Sequence, residues 1–287
     1  MTMTRLMKVF LAAFFLFSLN LLGENAYAQS SDGAFSLAVG PTNVRLKGQT
    51  GETRNATVRI WNQGSIKVRV QSELNDIQNI LDKDGKLERQ FLPPGTTDFS
   101  CAKWIILDAP EFDLEPNSFK DVNFTVSLPA DQTGSRGAAL FFRGVPAENP
   151  AADDSDGKPK TSVQLQPRLG VLVFFDVEGT VNRQGELKTL TWEPPAQDKP
   201  LIIRYAFENQ GNADILLTGN FLIMDSQQAL IAKGDLNPIR TFPGDHGVAE
   251  TAWPGLLEPG KYELIVTFEL GPDAAQVIVK TIDLVIE

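Results

Sequence analysis

Few side chains in this 287-residue chain are equipped for covalent chemistry. His246 is the only histidine and lies in the turn-like "PGDHGV", while Cys101, the only cysteine, lies in "FSCAKWI" with no base beside it in sequence. An activated nucleophile needs a base within hydrogen-bond reach, and a histidine-based triad here could be built around one residue only. The chain is therefore expected not to be an enzyme. The acidic stretches "LDKDGK" and "ADDSDG" have the look of calcium-loop openings, yet Ile80 and Ala152 stand at the first ligand position, and Phe91 and Val163 stand where the twelfth-position glutamate is needed. They read as Asp-Gly turns, so no metal and no cofactor is assigned. Trp61, Trp104, Trp192 and Trp253 read as core and corner packing rather than ligand platforms.

Whatever the chain does must then be done by surfaces, and the N-terminus says where. Arg5 and Lys8 precede the apolar run "VFLAAFFLFSLNLL" (Val9 to Leu22), and "AYA" at Ala26–Ala28 places small residues at a cleavage site. This is expected to be a secretory signal peptide over residues 1–28, cut after Ala28, because the run is shorter than the roughly 20 residues that span a bilayer. No second long apolar run follows before Glu287, so the mature chain is expected to be periplasmic or extracellular with no integral membrane segment.

The formal charge is −10, and removing Arg5, Lys8 and Glu24 with the leader makes it −11. That argues against nucleic acid or an anionic membrane surface as a partner. With one cysteine no internal disulfide can form, so each core must hold by packing alone.

The pattern of apolar residues is almost entirely of period two. "ATVRIWNQ", "DVNFTVSLP", "AALFFRGV", "LIIRYAFEN", "YELIVTFEL" and "QVIVKTIDLVIE" are short runs rich in Val, Ile, Leu and Phe, bounded by Gly, Pro, Asn and Asp, and they read as strands. "SELNDIQNILDKDGKL" (Ser72 to Leu87) is the nearest approach to a helical spacing and is expected to hold a turn or two at most. Asn-Gln-Gly occurs twice between such runs, at Asn62–Gly64 and Asn209–Gly211, and in both cases a proline turn, a strand, a glycine and another strand follow. The repeat is expected to mark one hairpin in each of two domains, with Pro116 matching Pro243. The fold class is thus all-β: two immunoglobulin-like sandwiches in tandem, over residues 29–180 and 186–287, joined near Gly179–Gly185. Pro146–Lys160 has no apolar run and is expected to form a long mobile loop.

"AFSLAVGPTNVRLKGQTGETRNATVRIWNQG", "WIILDAPEFDLEPNSFKDVNFTVSLP", "RGAALFFRGVP" and "VQLQPRLGVLVFF" together resemble the N-terminal domain of periplasmic pilus chaperones of the PapD-like superfamily, over Phe35 to about Asp176. The same stretch more weakly resembles the extracellular domains of WxL-interacting cell-surface proteins. The first resemblance implies binding by a shared β-strand, the last of the first domain, which inserts alternate apolar side chains into a subunit. Val163, Leu165, Leu169 and Val171 have that spacing, with Pro167 interrupting the ladder at one point. It also implies two basic residues that hold the subunit's C-terminal carboxylate. The expected positions carry Asn43 and Gly170, whereas Arg45 and Arg168 each lie two residues away and on the same strand face. Partner binding is therefore assigned to Val163, Leu165, Arg168, Leu169, Val171 and Arg45, with protein subunits of a pilus or of the cell envelope as partners. The alternative is a structural or adhesive module of the envelope.

Overall fold

The computed structural model describes residues 26–29, 35–147, 168–196, 199–271 and 276–287. The expected leader up to Asn25, the loop from Glu148 onward, Val163, Leu165 and Pro167 lie outside them. Backbone alone is described for Ala26–Gln29.

Among the described residues, eleven strands precede residue 178: β1 Ala26–Gln29, β2 Ser36–Gly40, β3 Asn43–Gly48, β4 Thr53–Asn62, β5 Val68–Leu81, β6 Leu87–Leu92, β7 Ile105–Leu107, β8 Glu111–Leu114, β9 Ser118–Ser127, β10 Ser135–Pro146 and β11 Arg168–Val177. They form one sheet in the order β1-β2-β4-β9-β7 and another in the order β3-β11-β10-β5-β6, with β8 also paired to β5. Alternation explains the layering. Val58 and Ile60 on β4, Val122, Phe124 and Val126 on β9, and Val171, Val173 and Phe175 on β11 all point into one core with almost no exposed surface. The chain changes sheet between β2 and β3, at a cis Gly40–Pro41 peptide, where Pro41 has no amide to continue a ladder. Truncating a side chain as buried as Phe175 to alanine costs about 3–5 kcal/mol in such cores.

Eight more strands follow: β12 Gly185–Glu193, β13 Leu201–Asn209, β14 Ile215–Asp225, β15 Leu230–Asp235, β16 Ile239–Thr241, β17 His246–Trp253, β18 Gly260–Leu270 and β19 Val277–Ile286. They make a β12-β13-β17 sheet and a β15-β14-β18-β19 sheet, with β16 on β14, around a core that includes Ile203, Phe207, Phe221, Val266 and Phe268. The protein is two immunoglobulin-like β-sandwiches in tandem.

Two sequence expectations change here. Asn-Gln-Gly does not close a hairpin: β4 and β5 belong to opposite sheets, as do β13 and β14, so each copy marks a crossing between the layers. Nor does its glycine take positive φ. The asparagine carries the motif instead. Asn62 is buried, accepts a bond from the Gly64 amide (3.1 Å) and donates to the carbonyls of Ile66 (2.8 Å) and Glu115 (3.0 Å). Asn209, equally buried, accepts from Gly211 (3.0 Å) and donates to the Ala213 carbonyl (2.9 Å). A single side chain thus satisfies backbone groups that the crossing would strand in the core. Pro116 lies between β8 and β9 and Pro243 between β16 and β17, which are corresponding turns.

Ser72–Leu87 holds no helical turn. It is the second half of β5, a turn, and the start of β6. Within that turn Asp82 accepts from the amides of Asp84 and Lys86 (2.8 Å each), and Gly85 sits at φ +77, an Asp-Gly turn without metal ligands. Among the described residues no cluster of His, Cys, Asp and Glu could hold a metal ion.

Candidate strand-binding edge and interdomain cleft

The last strand of the first sandwich is shared unequally by its neighbours. Along one side β11 pairs antiparallel with β10 over its whole length, from Arg168 opposite Arg143 to Asp176 opposite Ser135. Along the other side β3 pairs with it in parallel, but only from Leu172, opposite Asn43, onward. The Leu172 amide donates to the Thr42 carbonyl at 2.9 Å. Backbone groups alternate along a strand, so the amides of Gly170 and Arg168 point the same way, and among the described residues no strand pairs with them there. The strand β1 pairs with β2 beside this opening, and cleavage after Ala28 would remove three of its four residues.

Side chains fix that edge in place. Leu169 and Val171 do not face outward: they are 5% and 0% exposed and lie in the first core. They hold the strand rather than offer it. Arg168 lies on the outer face, donating to Glu73 (3.0 Å) and Asn75 (2.7 Å) and stacking 3.5 Å above the Phe141 ring. Gly170 leaves room for that ring, since a β-carbon there would come within 2.8 Å of it.

Arg45 is elsewhere. It pairs across from Phe174, six residues along β11 from Arg168, so the two arginines share a face but stand about 20 Å apart. The structure does not bring them together as one anion site. Arg45 instead joins the sandwiches: its guanidinium contacts Asp176 at 2.8 Å and Asp214, at the start of the second sandwich's β14, at 2.6 Å. Arg183, between the sandwiches, contacts Asp176 at 2.8 Å, and Arg240 on β16 contacts Asp214 at 2.8 Å. The Asp214 side chain is wholly buried. Burial alone would push its carboxyl up, but hydrogen bonding and charge from Arg45, Arg240 and Arg183 outweigh this and hold it below the usual carboxylate range. Arg45 mirrors it: burial pulls the guanidinium down, and Asp214 and Asp176 raise it above its ordinary value.

An apolar joint backs this ion cluster. Ile77, Ala139, Phe141 and Phe174 on the outer face of the first sandwich enclose Phe242 from the second, whose ring lies 4.8 Å from that of Phe99. Asn79 donates to Asp245 (2.6 Å) and to the Arg240 carbonyl (3.0 Å). Burial and the neighbouring charge of Arg240 bring Arg89, stacked on Phe242, down to about 10. Sequence reasoning did not single out Asp176, Arg183, Asp214 or Arg240. Their signal was a charge inside or against an apolar run, as in "VFFDV" and "ADILL", where burial demands a partner.

The remaining candidates have plain places. Cys101 is fully buried with its thiol toward the Val173 carbonyl (3.8 Å), and burial followed by the charge of Asp76 pushes that thiol far above its ordinary value, so it is no nucleophile. His246 is exposed at the start of β17. Trp192 is 38% exposed rather than core, whereas Trp253 packs edge-on to Phe221.

No protein-family model and no curated protein matches the chain. Among solved structures it is similar to the YadV chaperone, covering 86% of this chain and 99% of that one at 14% identity and a TM-score of 0.43. It is also similar to a chain of the Salmonella enterica SafA pilin–SafB chaperone complex (88% and 97% covered, 17% identity, TM-score 0.41). A further likeness is to a PapD-like domain of human CEP192 (52% and 89% covered, 12% identity, TM-score 0.34).

Proposed function

We propose that the exported, mature chain acts outside the cytoplasm as a non-enzymatic, assembly chaperone-like protein that binds pilus or envelope subunits by pairing their strands with its own. The observation that carries this reading is the edge of β11 at Arg168 and Gly170, which no strand among the described residues covers. The amides of Arg168 and Gly170 point away from β10 where β3 has not yet begun, and Leu169 and Val171 lock that stretch to the core. A preformed edge of this kind binds by main-chain hydrogen bonds without prior ordering. Val163 and Leu165 would extend it upstream. Arg168 would flank the incoming strand, and Arg45 would serve by fixing the second sandwich beside it.

The test compares Arg168→Pro with Arg168→Ala in the full chain, purified with the envelope proteins of its own host. Both lose the guanidinium, and only proline removes the edge amide. Loss of co-purifying subunits with proline but not with alanine supports strand pairing. Equal retention by both overturns it.

The second reading, a structural or adhesive envelope module, is favoured by the separation of Arg45 from Arg168 and by the neutralisation of Arg45 within the ion cluster. It needs no open edge and is left standing by the second outcome.

A further inference from the structure

The two sandwiches repeat one strand plan, in which β1, β3 and β7 of the first have no counterpart in the second. By order and pairing, β4, β5, β9, β10 and β11 correspond to β13, β14, β17, β18 and β19. In the first sandwich, β3 closes the edge of β11 from Leu172 to Val177. The corresponding segment of the second sandwich, between β12 and β13, is the proline-rich "PPAQDKP", whose described residues make only an isolated bridge, Ala196 to Lys199. Among the described residues no strand pairs with the outer edge of β19.

The outer face of β11, Phe174 and Asp176, is covered by the joint with the second sandwich, whereas on β19 the outer face, Thr281, Asp283 and Val285, is exposed and Ile282 and Ile286 are half-buried. Pro195, Leu256, Val285 and Ile286, together with Glu258 and Glu287, line a groove at the end of this edge, with Leu256 74% exposed. The backbone is oriented for pairing. The Leu270 amide donates to the Gln276 carbonyl at 3.0 Å, so even-numbered residues of β19 bond to β18, and the amides of Thr281, Asp283 and Val285 face away from it along the open edge.

We propose that this edge of β19 is a second strand-binding site, filled by an extended segment of a partner protein that is aliphatic at alternate positions and basic opposite Asp283. The first sandwich supplies the pattern of the missing strand. On β3, Val44 and Leu46 face the core and Arg45 stands opposite Phe174, the position that Asp283 occupies in β19. A strand of the same kind would set its aliphatic side chains opposite Ile282 and Leu284 and its arginine against the Asp283 carboxylate. The site is distinct from the edge of β11, so it stands or falls independently of subunit capture there.

The probe is a fluorescent peptide copying Pro41 to Gly48 (PTNVRLKG), titrated into the full chain and into its Asp283→Arg variant, a substitution on the exposed outer face of β19. The proposal requires saturable binding to the full chain, at least fivefold weakening by Asp283→Arg, and recovery in that variant when glutamate replaces the peptide's arginine. No binding at millimolar peptide overturns it, as does binding indifferent to Asp283→Arg. Concentration-dependent dimers of the full chain that exclude the peptide and dissociate in Asp283→Arg also overturn it, because they would make a second copy of the chain the occupant.

Discussion

Arg45 and Asp214 are 169 positions apart in sequence and 2.6 Å apart in space, and their contact ties the third strand of the first sandwich to the second sandwich. It lies beside the apolar joint, with Arg45 stacked on Phe174, which packs against Phe242. Asp214 has no exposed side-chain surface, and removing its charge takes a carboxylate contact from each of Arg45, Arg183 and Arg240, of which Arg45 and Arg183 also contact Asp176.

Asp214→Asn is accordingly expected to destabilise the protein by about 3 kcal/mol, the scale for breaking a buried ion pair from one side. The loss falls on the joint rather than on either core. Calorimetry of the variant should show the two sandwiches unfolding in separate transitions, and a cycle with Arg45→Met should show coupling well above the error of additivity.

The pH dependence has two opposed parts. Asp214 is held low by its arginines against its burial, so its contribution is complete above the unfolded value of about 4 and is lost as pH falls through the lower folded value. Asp245 is raised, first by burial, with the Phe242 amide, Asn79 and Arg89 only partly offsetting it. Between its unfolded and folded values the folded state binds the extra proton, so stability falls as pH rises through that window and is flat above it. Urea unfolding from about pH 3 to pH 7 should show Asp214→Asn losing the acid-side decline and Asp245→Asn losing the shallow fall above about pH 4.

The paired asparagines give a local test. Asn62→Ala and Asn209→Ala each leave buried carbonyls without a donor, which costs about 2–3 kcal/mol. Amide exchange should accelerate in the first sandwich for Asn62→Ala and in the second for Asn209→Ala. Uniform acceleration in both units by either variant would mean that the motif is not a local device.

The strand runs and the tandem sandwich plan were legible because period-two alternation is set by residues next to one another. Ser72–Leu81 was ambiguous for a physical reason: Leu74 packs on the first core while Ile77 packs into the joint with Phe242, so both faces of one strand are apolar and the spacing mimics a helix. Leu169 and Val171 were read as surface for binding because alternation names two faces without saying which is the core. The role of Arg45 could not be read locally, since its partner Asp214 belongs to the other sandwich. The crossing at Asn62 was mistaken for a hairpin because a turn's residues do not reveal whether the next strand joins the same sheet.

The open edge of β11 is tested most directly by amide hydrogen exchange in the mature chain beginning at Gln29, without any partner. Leu172 donates to Thr42 and should be protected, and Leu169 and Val171, facing β10, should be protected as well. The amides of Arg168 and Gly170 should exchange at least about a hundredfold faster than that of Leu172, as unpaired edge groups do. Protection of Gly170 equal to that of Leu172 would mean that the edge is already closed, and would contradict strand capture at this site.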